Sequence, residues 1–292
     1  MCPHTSESIA TLVRPLIGEP VGDPEPLDGG ITNRNFRVRT DKGDFVVRLF
    51  GASASQLGID RSAERAATEG AARAGVGPDV VAFTDELLVT TFIEGEPMPR
   101  LRLEETAAAL RAVHEGPDLP TTFSGVAVAE DYAAKAASLP DDYDGALAVG
   151  REIEAALSGP EHEAVPCHND LLNANLIWDG SRVRIVDWEY AGNGDRYFDL
   201  GNLSINNELS EDDDERLLAA YFGEPCTAGR FASLRLMRIV SDLREAMWGV
   251  LQEGISDLDF DFKDYATTHF ARLRESAADS RYRGWLEEAA RG

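Results

Sequence analysis

The chain has 292 residues, enough for two lobes that each bury a core. Its 52 Asp and Glu against 28 Lys and Arg give a formal charge of −24, which argues against nucleic acid or anionic membrane as partners and favours a cationic small molecule; an acidic solvation surface explains the same charge. Cys2, Cys167 and Cys226 are odd in number and scattered, no apolar run approaches a membrane span and the first residues lack a basic-then-apolar leader, so a cytoplasmic protein without stable membrane insertion is expected.

Apolar positions at helical spacing from Ile9 to Ile17 predict a helix over 5–17, closed by Pro20. The segments around Leu27–Arg39 and Phe45–Phe50, separated by Gly turns, read as strands. Arg48 shares a strand face with Val46 and Phe50, and an arginine among apolar neighbours requires an anionic partner, either phosphate or carboxylate. An Ala-rich helix over Ile59–Ala74 offers Glu64 and Glu69, and Gly75-Val-Gly77-Pro78 stops it. Strands at 80–83 and 87–93 follow, and Glu94-Gly95-Glu96-Pro97 marks a lobe boundary, dividing the chain into 1–93 and 94–292. Beyond it the pattern is helical, over 103–113, about 130–139, 147–157, 228–252 and 262–276. The exception is 165–187, a loop rich in Asn followed by a hairpin turned by Asp179-Gly180. The acidic run Glu211–Glu215 is read as a solvated helix start.

The chemistry concentrates in Val165-Pro-Cys-His168-Asn-Asp170-Leu-Leu-Asn-Ala-Asn175 and in Asp187 beyond the hairpin. An Asp, an Asn five residues on and a second Asp supply oxygen ligands for a hard divalent cation and a carboxylate base. The order His-x-Asp-x4-Asn-x11-Asp matches the catalytic and metal loops of phosphoryl transfer; a polar loop of Asx turns is the structural alternative. His168, two residues before Asp170, is expected to hold the loop by packing and hydrogen bonding rather than to move protons, and the other histidines are assigned no role.

These segments resemble the choline/ethanolamine kinase and aminoglycoside phosphotransferase superfamily, and within it the bacterial choline kinase-like proteins. The likeness rests on His168–Asn175, on Ile185-Val-Asp187-Trp-Glu189-Tyr190-Ala-Gly192 with Phe198–Asn202, on Gly29-Gly30-Ile-Thr-Asn33-Arg-Asn-Phe36, on Val47–Gly51 with Ile59–Glu64, and on Trp248–Tyr265. It implies an α+β, protein kinase-like two-lobed fold with a small antiparallel N-terminal lobe and a larger helical lobe. ATP and Mg²⁺ would be the cofactors. Asp170 would accept the hydroxyl proton, Asn175 and Asp187 would hold Mg²⁺, and Arg48 would reach the phosphates while pairing with Glu64, with Glu69 as the rival partner. Asn33 would belong to the nucleotide loop, and Thr91, Phe92 and Ile93 to the hinge that meets adenine. Trp248, Tyr265, Glu245 and Glu189 would face the substrate. Glu245 stands where the best-known choline kinases carry another cage tryptophan, so the chain departs from them there.

A quaternary ammonium is held by aromatic faces and nearby carboxylates. The resemblance therefore implies transfer of phosphate to a cationic alcohol, choline first, with ethanolamine or another amino alcohol open. An aminoglycoside phosphotransferase and a catalytically silent kinase-fold binding module are the alternatives, and the oligomeric state is open.

Overall fold

The computed structural model describes residues 6–27, 33–51 and 54–291. The Gly29-Gly30-Ile-Thr segment of the expected nucleotide loop lies outside them, whereas Asn33 lies within. Helix α1 (Ser6–Ile17) buries Ile9, Val13 and Ile17, one stripe at successive turns, against the first sheet. That sheet is built from β1 (Glu25–Leu27), β2 (Arg34–Thr40) and β3 (Gly43–Leu49), followed after α2 (Arg61–Arg73) by β4 (Val80–Phe83) and β5 (Leu87–Thr91). Its order is β1-β2-β3-β5-β4 and every pairing is antiparallel, with Arg48 opposite Asn35 on one side and Leu88 on the other. Phe45, Val47 and Leu49 enter the core with α1, so the alternation of β3 carries Arg48 to the opposite face.

Helix α2 begins at Asp60, whose carboxylate accepts the amides of Ser62 and Ala63 at 2.8 and 3.2 Å. It ends where Gly75 turns left-handed (φ 73°), a conformation open to glycine at little cost. Ala67, Ala71 and Val76 pack into the larger helical core, and the Val76 carbonyl accepts the Ile185 amide at 2.7 Å. The helix that carries Glu64 is thereby tied to the hairpin that precedes Asp187.

The remaining chain runs β6 (Glu96–Pro97), α3 (Leu103–His114), α4 (Gly125–Lys135), α5 (Tyr143–Ala156), β7 (Ala164–Cys167), β8 (Leu176–Trp178), β9 (Val183–Ile185), β10 (Gly192–Asp195), α6 (Arg196–Asn206), α7 (Glu211–Phe222), α8 (Ala228–Ile255), α9 (Phe262–Ala277) and α10 (Tyr282–Ala289). The small sheet β6-β8-β9 contains the expected hairpin, and β7 pairs antiparallel with β10. The long helix α8 is the spine of this part, with α6, α4, α9 and α10 around it. The result is an α+β, two-lobed kinase-like fold.

Two expectations are corrected. The helix placed at about 130–139 is α4, which starts earlier because Ser124 caps it, accepting the Ala127 amide at 3.0 Å. The acidic run does start a helix, capped by Ser210, but Asp214 is fully buried. Arg235 and Arg238 of α8 reach it at 3.2 and 3.0 Å, and these partners account for a carboxylate inside the core. No helix among the described residues is long and apolar enough to cross a membrane.

Candidate active site

The catalytic-loop segment is fixed from below by one carboxylate. Asp199, fully buried on α6, accepts the amides of His168 and Asn169 at 2.8 and 2.7 Å, and His114 Nε2 lies 3.0 Å away. Burial alone would raise the Asp199 carboxyl, yet the hydrogen bond and charge of His114 and the His168 contacts hold it below its ordinary value. The imidazole Nδ1 of His168 accepts the Asp170 amide at 3.1 Å, so Nε2 carries the hydrogen and donates to the Val186 carbonyl at 3.0 Å. Burial lowers its pKa and favours the neutral ring. His168 thus joins the loop of Asp170 to the strand end before Asp187, as a packing and hydrogen-bonding residue.

Asn169 and Asp187, with φ of 67° and 69°, sit in left-handed backbone that non-glycine residues rarely adopt. Asn169 Nδ2 donates to the Tyr190 carbonyl at 3.0 Å, which ties one loop to the other. Asn173 donates to the Met98 carbonyl at 2.8 Å, and Asn175 to that of Asp170 at 2.9 Å. The loop is therefore more than a set of local Asx turns, because its amides reach both neighbouring loops. Asn175 Oδ1 has no protein donor among the described residues and is a suitable hard-metal ligand atom.

On the other side of the cleft Arg48 meets three carboxylates. Its Nη1 is 3.1 Å from Glu64 Oε1, Nη2 contacts Asp187 Oδ1, and Glu189 Oε2 lies 3.6 Å away. Burial would lower its pKa, but Asp187, Glu189 and Glu64 more than offset this and keep the guanidinium charged. Glu64 also binds Arg61 at 2.5 Å, whereas Glu69 pairs with Arg65 at 2.9 Å, which separates the two candidate partners of Arg48. Even with Arg61 counted, three carboxylates face two arginines among the described residues, and the Asp187 side chain keeps 26% exposure. A divalent cation beside Asp187 and Asn175 fits this surplus of negative charge.

Glu189, expected at the substrate, is buried between Arg48 and Asn33, whose Nδ2 donates to it at 2.7 Å. Asn33 in turn accepts the Gly51 amide at 3.3 Å, so these two residues bridge the first sheet to the loop after Asp187. At the expected hinge, the amides of Thr91 and Phe92 bond the carbonyls of Asp79 and Asp44 at 2.9 and 2.8 Å. Among the three hinge residues, the Ile93 amide alone is left without a backbone partner among the described residues.

The other residues expected to face the acceptor stand on α8 and α9. Trp248 is 7% exposed, its ring 5.5 Å from Tyr265 in an edge-on arrangement, and its Nε1 donates to Tyr190 Oη at 3.1 Å. Tyr265 donates to Glu245 Oε2 at 2.8 Å. Of the other acidic residues near these rings in sequence, Asp242 pairs with His269 and Arg272, and Asp257, Asp259 and Asp261 are exposed. A residue not anticipated completes the site: Arg244, 1% exposed, lies 3.2 Å from Asp170 Oδ1, contacts Glu245 and stacks 4.4 Å above the Tyr190 ring centre. The reasoning that singles out Arg48 applies equally to Arg244, which stands in Leu243-Arg244-Glu245-Ala246-Met247. Burial, Glu245, Asp187 and Glu189 raise the Asp170 carboxyl above its ordinary value against the opposing pull of Arg244.

A small sheet lobe, a helical lobe and a carboxylate-bearing loop between them define the kinase-like class. The chain belongs to the phosphotransferase enzyme family, whose model matches residues 23–236. A choline/ethanolamine kinase family protein from Mesorhizobium loti superposes with a TM-score of 0.86 at 29% identity, covering 99% of this chain and 100% of that one. The probable ethanolamine kinase A of Dictyostelium discoideum is 25% identical over 298 residues, covering 86% of this chain and 84% of its own. The choline kinase LicA of Streptococcus pneumoniae shares the fold, with a TM-score of 0.81 at 23% identity over 94% of this chain and 99% of its own.

Proposed function

We propose that this protein transfers the γ-phosphoryl group of ATP to the hydroxyl of a small cationic alcohol of the choline and ethanolamine type, in a Mg²⁺-dependent reaction. The observation that carries this reading is the position of Asp170, on a loop tied to Asp187 on one side and 3.2 Å from the acceptor helix through Arg244 on the other. In this reading residues 1–93 present the nucleotide and 94–292 the catalytic loops and the acceptor.

Arg48, held by Glu64, orients the phosphates, and its planar fork can bind carboxylate and phosphate together. Asn175 and Asp187 would hold Mg²⁺, which when bound neutralises phosphate charge. Asp170 accepts the proton of the acceptor hydroxyl as its oxygen bonds to phosphorus. Asp199 and His168 keep that carboxylate in place, and the Ile93 amide is the hinge donor for the base. Buried Trp248 and Glu245, with the half-buried Tyr265 beside them, support a small acceptor rather than a polycationic antibiotic.

The test is ADP release coupled to a reporter, with Mg-ATP and choline, ethanolamine, other amino alcohols and aminoglycosides in turn. Turnover with an amino alcohol is expected. Turnover with aminoglycosides alone contradicts the reading, and failure to bind Mg-ATP by calorimetry points to a silent binding module.

A further inference from the structure

We propose that Arg244 is a specificity-determining residue of the acceptor site: its guanidinium fills the aromatic seat that a quaternary ammonium would need, so the enzyme selects a primary-ammonium alcohol over a trimethylammonium one. The inference rests on the amino-alcohol kinase reading and deepens it.

A quaternary ammonium has no N–H to donate and is held through aromatic faces. The Tyr190 face is taken by Arg244 at 4.4 Å. Nη1 of that guanidinium lies 3.2 Å from Asp170 Oδ1 and contacts Glu245, while Nε and Nη2 are buried with no hydrogen-bond partner among the described residues. The ring stacking and one paired nitrogen therefore hold this cation, which is how an aromatic cage holds an alkylammonium group. Tyr190 is itself pinned by the Trp248 indole at 3.1 Å. Trp248 is flanked by Phe262 and Tyr265 at 5.7 and 5.5 Å, and Tyr265 by His269 at 4.4 Å. These contacts are edge-on or tilted, so the face that a cation already occupies is that of Tyr190.

Carboxylate oxygens beside Arg244 are the recognition groups for an N–H donor. Glu245 accepts from Arg244 and Tyr265, and a carboxylate has about four lone-pair sites, so it retains capacity for an ammonium donor. A primary ammonium supplies three such donors and a trimethylammonium none. Seating the latter on Tyr190 would require Arg244 to leave both Asp170 and Glu245, and breaking a buried pair is strongly unfavourable.

The experiment measures kcat/KM for ethanolamine and for choline with the wild type and with Arg244→Met, which keeps the apolar stem and removes the charge. The wild type is expected to favour ethanolamine, and the ethanolamine-to-choline ratio to fall by about tenfold or more in the variant, whatever happens to the absolute rates. A second measurement needs no variant: methylammonium is expected to inhibit the wild type at lower concentration than tetramethylammonium. An unchanged ratio, or stronger inhibition by tetramethylammonium, overturns the inference while leaving the kinase reading intact. No wild-type turnover of ethanolamine, choline or any other amino alcohol overturns both.

Discussion

Arg48 on β3 and Glu64 on α2 meet at 3.1 Å, both buried, and the same guanidinium reaches Asp187 across the cleft. The two sides of the cleft, β3 with α2 and the Asp187 loop, are thus one ion network. A lysine provides one point charge where this arginine serves three carboxylates through a planar fork. Arg48→Lys is expected to reduce kcat/KM for ATP about tenfold or more, and Glu64→Gln to do likewise by freeing the fork. Steady-state kinetics with varied ATP check both, and a variant matching the wild type would remove Arg48 from the phosphate site.

Asp199 organises the catalytic loop and should leave a signature in acid. Its folded pKa lies below the unfolded value, so its contribution to stability is complete above the unfolded carboxylate pKa of about 4 and is lost as pH falls through the lower folded value. Asp199→Asn is expected to cost roughly 1–3 kcal/mol near neutral pH, because two buried amides lose a charged acceptor. Urea unfolding from pH 3 to 7 should show the gap between wild type and variant narrowing toward the acid end. A gap independent of pH would contradict this role.

Gly249 determines how closely α9 approaches α8. A Cβ there would meet the Phe262 carbonyl and Tyr265 Cδ1 at 3.1 Å. Gly249→Val is therefore expected to push Tyr265 away from Glu245, to destabilise by about 1–3 kcal/mol and to raise KM for the acceptor more than for ATP. Equal effects on both constants would detach Tyr265 from acceptor binding.

Much of this organisation was legible because its signals are local. Periodicity locates α1, α2, α8 and α9, the Asp179-Gly180 turn fixes the hairpin, and the spacing of Asp170, Asn175 and Asp187 gives the order of the loops. What was not legible depends on contacts across the chain. The β7–β10 pair joins positions 25 to 31 residues apart, and its strands contain Pro166, Gly192 and Gly194, residues of weak strand preference. Asp214 looked solvated because the arginines that bury it stand on α8. His114, His162 and His269 had no partner at ligand spacing, yet each meets an aspartate brought by another element. That Arg244 needs an anion was legible from its apolar neighbours, but that Asp170, 74 residues away, is one of its partners was not.

The most direct test of the account is turnover of Mg-ATP with ethanolamine and choline by the wild type and by Asp170→Ala, with nucleotide binding and folding monitored in parallel. The account predicts Mg²⁺-dependent phosphorylation by the wild type and a loss of roughly 10² to 10⁴ in kcat for the variant, with nucleotide still bound. Equal turnover by the two proteins would contradict it.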